Sequence, residues 1–124
     1  MDVEVLVAAH KKYPMPQDKI YFPLHVGKNG QAGFGLPGDD SGDNISEKNP
    51  GYCELTGLYW AWKNLSCDYL GLVHYRRHFT AAGRIGLWRH RKTAEDKMSR
   101  VLNSGDLNKL LQKYKIIVPV KRNY

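Results

Sequence analysis

Residues Val3 to Ala9 form a compact apolar and β-branched run, interrupted only by Glu4 and closed by His10-Lys11-Lys12. Such a run predicts a buried first strand. Tyr13-Pro14-Met15-Pro16 reads as a turn or extended segment, because each proline disfavours helix in the residue before it. Ile20 to Val26 predicts a short second strand, limited by Pro23. From Gly27 to Asn49 six glycines and no period predict a long loop, a length that in compact domains usually means function or disorder. Asn49-Pro50 then predicts a helix start, with Asn as N-cap and Pro at the first helical position. Leu55, Leu58, Tyr59, Trp62 and Leu65 recur at helical spacing and predict the buried face of a helix over 50–65. Asn64 to Asp68 breaks that helix, and Asp68 to Val73 predicts a strand.

The carboxyl third is less regular. Thr80 to Lys92 has no clear period. Thr93, followed by Glu95 and Asp96, predicts a helix running to Leu102. Ser104 caps a further short helix with Leu107, Leu110, Leu111 and Tyr114 on one face. Lys115 to Val120 predicts a last strand, a parallel neighbour of 3–9 and 69–73. A strand apolar throughout is normally central and covered on both faces, so more chain is expected after it. The elements predict an α/β fold of three layers with a mostly parallel sheet. The 124 residues read as one domain, or the amino-terminal portion of one.

Composition narrows the function classes. The chain is 42% hydrophobic and 25% charged, a globular balance. A formal charge of +7 and a pI near 9.5 favour an anionic partner: nucleotide, nucleic acid or membrane surface. All seven arginines lie at or after Arg76. The two cysteines, Cys53 and Cys67, have no CxxC spacing, which argues against zinc and fits a reduced cytoplasmic protein. No apolar stretch is long enough to span a membrane, and the start lacks the features of a signal peptide.

Two polar clusters flank the aromatic helix. The first is Gly38-Asp39-Asp40-Ser41-Gly42-Asp43-Asn44, and the second is His74-Tyr75-Arg76-Arg77 at the end of the third strand. Arginines there can hold phosphate oxygens bidentately, and His74 can donate to phosphate or take a proton near neutral pH. The ordinary alternative is that Arg76 and Arg77 are solvated or paired with the acidic loop. Asp39, Asp40 and Asp43 fit a metal site, acceptors for sugar hydroxyls, or a general base; Asp43 and Asn44 fit turn or cap chemistry equally well. His10 follows the first strand and stands where a nucleotide approaches. Tyr52, Tyr59, Trp60 and Trp62 suit stacking on a sugar or base, although aromatics at helical spacing are more often core. An acidic loop and a cationic strand end joined by one crossover suit a sugar attached to phosphates, which predicts one shared cleft.

The strings Asp39 to Ser46, Asn49-Pro50, Tyr52 to Thr56, Tyr59 to Asn64, Asp68 to Phe79, Ile116 to Pro119 and Lys121 to Tyr124 resemble a bacterial family. It is domain-of-unknown-function family 4422, found in capsular and exopolysaccharide biosynthesis proteins. The resemblance covers most of the chain except a variable stretch, 83–99, and extends to about half of a family domain. It implies a glycosyltransferase-like protein with a nucleotide-sugar-binding domain of the GT-A type. The implied partners are a nucleotide-diphospho donor, with UDP-galactofuranose one candidate, and a glycan or lipid-linked glycan acceptor. A cytoplasmic location follows, with peripheral contact at the inner face of the membrane. Asp39 and Asp40 are then the candidate catalytic residues. The candidates for donor binding are His10, Asp43, Asn44, His74, Tyr75, Arg76, Arg77, Lys121 and Arg122. Where many GT-A enzymes carry an Asp-x-Asp metal motif this chain has His74-Tyr75-Arg76, so a Mg or Mn cofactor has no evident ligand set and no metal residue is assigned. The rival readings are an inactive remnant that binds nucleotide alone, and a basic nucleic-acid-binding module, for which no aromatic-basic motif argues.

Overall fold

A computed structural model describes residues 2–80 and 97–120. Three strands, β1 (Val3–Ala9), β2 (Tyr21–His25) and β3 (Tyr69–His74), form one sheet in the order β2-β1-β3. Both pairings are parallel, with Val5 opposite Tyr21 on one side and opposite Gly71 on the other. The two early strand predictions and the third therefore hold to within a residue or two.

Alternation along β1 divides the core into two. Val5, Val7 and Ala9 face a cluster with Tyr21, Val73, Tyr75, Leu102 and Leu107, against which Tyr13 and Met15 also pack. Leu6 and Ala8 face the other way, onto Leu24, Val26, Trp60 and Ala61. Leu6, Val7 and Ala9 are fully buried, each side chain removed from water at both its own face and its neighbours'. Helix covers both sides of the sheet: α2 (Leu55–Asn64) on the second face, and α3 (Ser104–Leu111) on the first through Leu107. The three-layer α/β architecture is thus present.

The crossover is not one helix. A single 3-10 turn at Ser46–Lys48 leads into a short α1 (Asn49–Tyr52), and the chain breaks at Cys53 (φ 52°) before α2 begins. Asn49 is inside α1 and not its cap; its side-chain amide instead donates to Cys53 O and Thr56 Oγ1, bridging the break. The face that α2 buries is Thr56, Gly57, Trp60 and Ala61, while Leu55 and Trp62 are exposed. The expected core role of Trp62 is therefore wrong: it is 66% exposed, with the Lys63 ammonium 3.7 Å from its ring centre. Gly57 explains the rotation. A Cβ there would lie 2.7 Å from Val26 Cγ1, so the helix meets the sheet through its smallest residue.

Two expectations in the carboxyl third change. Asn103, not Ser104, caps α3, in a reciprocal capping box with Asp106. Residues 115–120 form no strand: Ile116, Val118 and Val120 are exposed, and Ile117 alone packs against the core. Apolar side chains do not make a strand without a ladder partner, and Pro119 has no N–H to offer one. Of the helix expected from Thr93 to Leu102, residues 93–96 lie outside the described residues; within 97–102 only Lys97 and Met98 are helical, and the chain turns before Leu102.

Candidate active site

The three strands share an ending. His10 follows β1 directly, and His25 and His74 are the last residues of β2 and β3. The chain between β1 and β2 packs Tyr13 and Met15 on one face of the sheet, whereas α2, between β2 and β3, packs on the other. Connections that leave to opposite faces open a crevice at the carboxyl ends of the strands, where α/β sheets bind ligands. A cleft of about 440 Å³ lies there, lined by His10, His25, Asn29, Gln31, Ser46, Glu47 and Asn49 among others.

Asp39 braces that cleft through Gly27 and Ser46, two of its lining residues. Its carboxylate is fully buried. Oδ2 accepts from Gly27 N at 2.8 Å and Thr56 Oγ1 at 2.6 Å, and Oδ1 accepts from Lys28 N at 3.1 Å and Ser46 Oγ at 2.5 Å. Ser46 Oγ in turn accepts from Asn29 N at 3.1 Å. The backbone N–H of Asp39 donates to His25 O, and His25 N donates to Pro37 O. One side chain therefore ties the end of β2, the loop behind it and the first turn of α2 together. Gly27 tolerates the sharp turn (φ 68°), and a Cβ there would collide with Asn49. The loop expected over 27–49 is a hydrogen-bonded unit.

The rest of the acidic cluster runs away from the cleft along α2. Ser41 Oγ accepts from Trp60 Nε1, and Asp43 accepts from Tyr59 OH through Oδ1 and from Asn64 Nδ2 through its backbone oxygen. Asn44 spans its own turn, bonding Gly42 O and Ser46 N. From Thr56 to Asn64 is eight residues of helix, or about 12 Å. Asp43 is thus anchored near the end of α2 remote from the strand ends, and Asn44 does turn work. Asp40 is exposed beside Lys28, 3.9 Å from its ammonium.

At the end of β3 the chain turns tightly, with Arg77 N donating to His74 O at 2.9 Å. Tyr75 is buried, edge-on to both His10 and Tyr13, and the Arg76 guanidinium lies 5.4 Å from its ring centre. Arg76 and Arg77 are exposed, and among the described residues neither pairs with the acidic loop. His74 Nε2 stands 3.8 Å from Glu54, and its ring centre is 6.5 Å from that of His10. Burial holds His74 below the usual histidine range, with Glu54 pulling the other way and Arg76, His10 and Arg77 adding to the drop. Burial also lowers His25, which feels Lys28, Asp39, Asp40 and His10. His10 is common to both sets of charges and joins the cleft to the end of β3. Lys121 and Arg122 lie outside the described residues.

A divalent ion such as Mg or Mn needs several oxygens with free lone pairs. Among the described residues no three His, Cys, Asp or Glu side chains converge, and Asp39 is already committed to four donors. Those residues do not form a cation cage. Among them, too, no helix is long and apolar enough to cross a membrane.

With this geometry in place the affiliation follows from the match over residues 4–124 to the domain of unknown function DUF4422. The chain belongs to that family. It is similar to the WbbM bifunctional glycosyltransferase, solved in its apo form, at 50% identity and a TM-score of 0.62. The alignment covers 64% of this chain and 14% of that one, so the chain spans a small part of that relative's length. No curated protein matches it.

Sequence reasoning missed His25, Glu47, Glu54 and Thr56 as site residues. A readable signal existed for His25, since all three strands run into a histidine at the same edge. Thr56 and Ser46 carried none, because their role depends on a buried partner distant in sequence.

Proposed function

We propose that this chain forms the donor-binding part of a glycosyltransferase, which moves a sugar from a nucleotide-diphospho donor to a glycan hydroxyl. On this reading UDP-galactofuranose is the donor, and a capsular or exopolysaccharide glycan, free or lipid-linked, is the acceptor. The reaction belongs in the cytoplasm, at the inner face of the membrane. The observation that carries the reading is positional. A polar cleft opens at the carboxyl ends of parallel strands beside two exposed arginines, in a chain half identical over its aligned part to a bifunctional glycosyltransferase.

Each role but that of Lys121 and Arg122, which rests on their charge alone, follows from how the side chain is held. Arg76 and Arg77 present planar donors to a diphosphate and offset the charge that grows on it as the sugar leaves. Lys121 and Arg122 serve the same diphosphate. Asp39 is a positioning residue, because a carboxylate already holding four donors has nothing left for a substrate proton. Asp40, exposed beside Lys28, is the carboxylate able to accept the proton of an attacking hydroxyl. His10 and His74 line the passage between cleft and arginines, with the buried Tyr75 packed edge-on to His10; Asp43 and Asn44 anchor the loop and leave the donor set.

Calorimetric titration of UDP and UDP-galactofuranose tests the reading. Arg76→Ala should weaken binding by about 1.5–3 kcal/mol, the range for a hydrogen bond to a charged group. Equal affinities would remove Arg76 from the site, and a wild-type chain that binds neither nucleotide would remove the function.

A further inference from the structure

The turn that carries the arginines hangs on His74. Arg76 N donates to His74 Nδ1 at 3.2 Å, and Arg77 N donates to His74 O at 2.9 Å. The second bond is ordinary turn chemistry, open to any residue in that place. The first needs a side-chain acceptor. It ties a ring nitrogen of His74 to the backbone of the residue whose guanidinium rests against Tyr75.

That bond fixes the tautomer. A ring nitrogen that accepts holds no proton, so the neutral ring carries its hydrogen on Nε2. Nε2 faces Glu54 Oε1 at 3.8 Å, and a carboxylate favours a donor there. Packing holds the ring as well: the side chain is only 24% exposed, and the ring lies 4.4 Å from that of Tyr75, centre to centre.

Protonation of this ring does more than add a charge. With a hydrogen on both nitrogens, Nδ1–H would meet Arg76 N–H, donor against donor, and the bond is lost. The charged and titratable groups that face the ring are Glu54 ahead of α2, His10 after β1, and Arg76 and Arg77 on its own turn. His78 and Lys97 lie just beyond, one bonded to Tyr75 O and the other to Arg76 O. Burial is the main force against the imidazolium; Glu54 favours it, while Arg76, His10 and Arg77 oppose it. The ring is therefore neutral at neutral pH, with the Arg76 bond made.

We infer that His74 is a positioning residue: its neutral ring accepts the Arg76 N–H through Nδ1 and so aims Arg76 at the donor diphosphate, and protonation releases that aim. This rests on the nucleotide-sugar reading above. Direct contact of His74 with phosphate predicts the reverse, because an imidazolium attracts an anion.

Two measurements test it. Proton–nitrogen correlation spectroscopy of the imidazole, without ligand, should show the hydrogen on Nε2 at neutral pH. A hydrogen on Nδ1 overturns the inference whatever the chain binds. Calorimetry with UDP-galactofuranose then reads the aim, since a diphosphate esterified at both ends lacks the second ionisation of a phosphate monoester. Wild-type affinity should fall about fivefold from about pH 7.5 to about pH 5, the scale of one net hydrogen bond. His74→Asn sets an amide oxygen near the place of Nδ1 and does not titrate. It should bind within about twofold of wild type at neutral pH and lack that loss. His10 is the same in both proteins, so the difference between the two profiles belongs to His74. His74→Gln, whose amide reaches the place of Nε2 instead, should bind about fivefold more weakly at neutral pH. The tautomer and the wild-type profile need no variant, so a variant that fails to fold leaves the test standing. Wild-type binding that tightens as the pH falls overturns the inference and makes His74 a phosphate contact. Equal affinities for His74→Asn and His74→Gln overturn it too, with the nucleotide reading intact. A wild type with the Nε2–H ring that binds no donor overturns the nucleotide reading, and the inference falls with it.

Discussion

Asp39 and Arg76 belong to the two polar clusters that flank the crossover, yet they are built in opposite ways. Asp39 is fully buried and bonded to two backbone amides and two hydroxyls. Arg76 is exposed, and its guanidinium rests against the buried ring of Tyr75. The first spends its charge on the fold, so it can shape a site but not act in one. The second leaves its charge open to solvent and contributes little to folding. Residues of one polar cluster are therefore not one functional class.

The largest effect expected from this contrast is on stability at Asp39. Asp39→Ala should cost more than about 3 kcal/mol in urea unfolding, because it strands two N–H groups and two hydroxyls and leaves a void. Asp39→Asn should recover part of the loss, since an amide oxygen still accepts but its NH2 faces donors. A variant within about 1 kcal/mol of wild type would show that the network is not what holds the loop.

The contrast also separates what could be read from sequence. Strands β1, β2 and β3 were legible because their apolar runs are short and bounded, rich in valine in β1 and led by aromatic residues in β2 and β3. The helix was legible as a helix, but its buried face was not. Large apolar residues pointed to Leu55, Leu58 and Trp62, whereas close approach to Val26 selected Gly57, and the hydrogen bond to Asp39 selected Thr56. Residues 115–120 failed for a related reason: composition states which residues prefer to be covered, not whether a partner strand is there. At the site the arginines were visible as charge at a strand end. The division between Asp39, buried and bracing the cleft, and Asp43, tied to the far end of α2, was not, because it depends on where the loop runs.

Titration of His78 probes whether the end of β3 is loose throughout or only at its surface. His78 lies just past the arginines, bonded through Nε2 to Tyr75 O, and burial pushes it from 6.5 down to about 4. The unfolded chain therefore takes up this proton first. Stability should be full above about pH 6.5, fall as the pH drops toward 4, and gain no further loss from this group below that. Burial lowers His25 and His74 too, so both act in the same direction. The His78 share should be on the order of 3 kcal/mol, read as the difference between wild type and His78→Gln in urea unfolding free energy across that range. Parallel curves for the two proteins would mean that the imidazole is solvated.

The smallest expected effect is the one that separates the two clusters most sharply. Arg77→Ala should leave unfolding free energy within about 0.5 kcal/mol of wild type, as exposed substitutions usually do, and Arg76→Ala within about 1 kcal/mol. Arg76 has the greater claim to a measurable shift, because its guanidinium covers part of the Tyr75 ring and its backbone oxygen accepts from Lys97. The backbone contact survives truncation of the side chain, so the ring contact alone is lost, worth about 0.5–1 kcal/mol at an exposed site. Urea unfolding beside the nucleotide titration then gives two readouts for one residue. A stable variant with weakened UDP binding keeps Arg76 as a ligand residue. A loss of stability like that at Asp39 would make the end of β3 a second structural brace, and the distinction between the two clusters would fail.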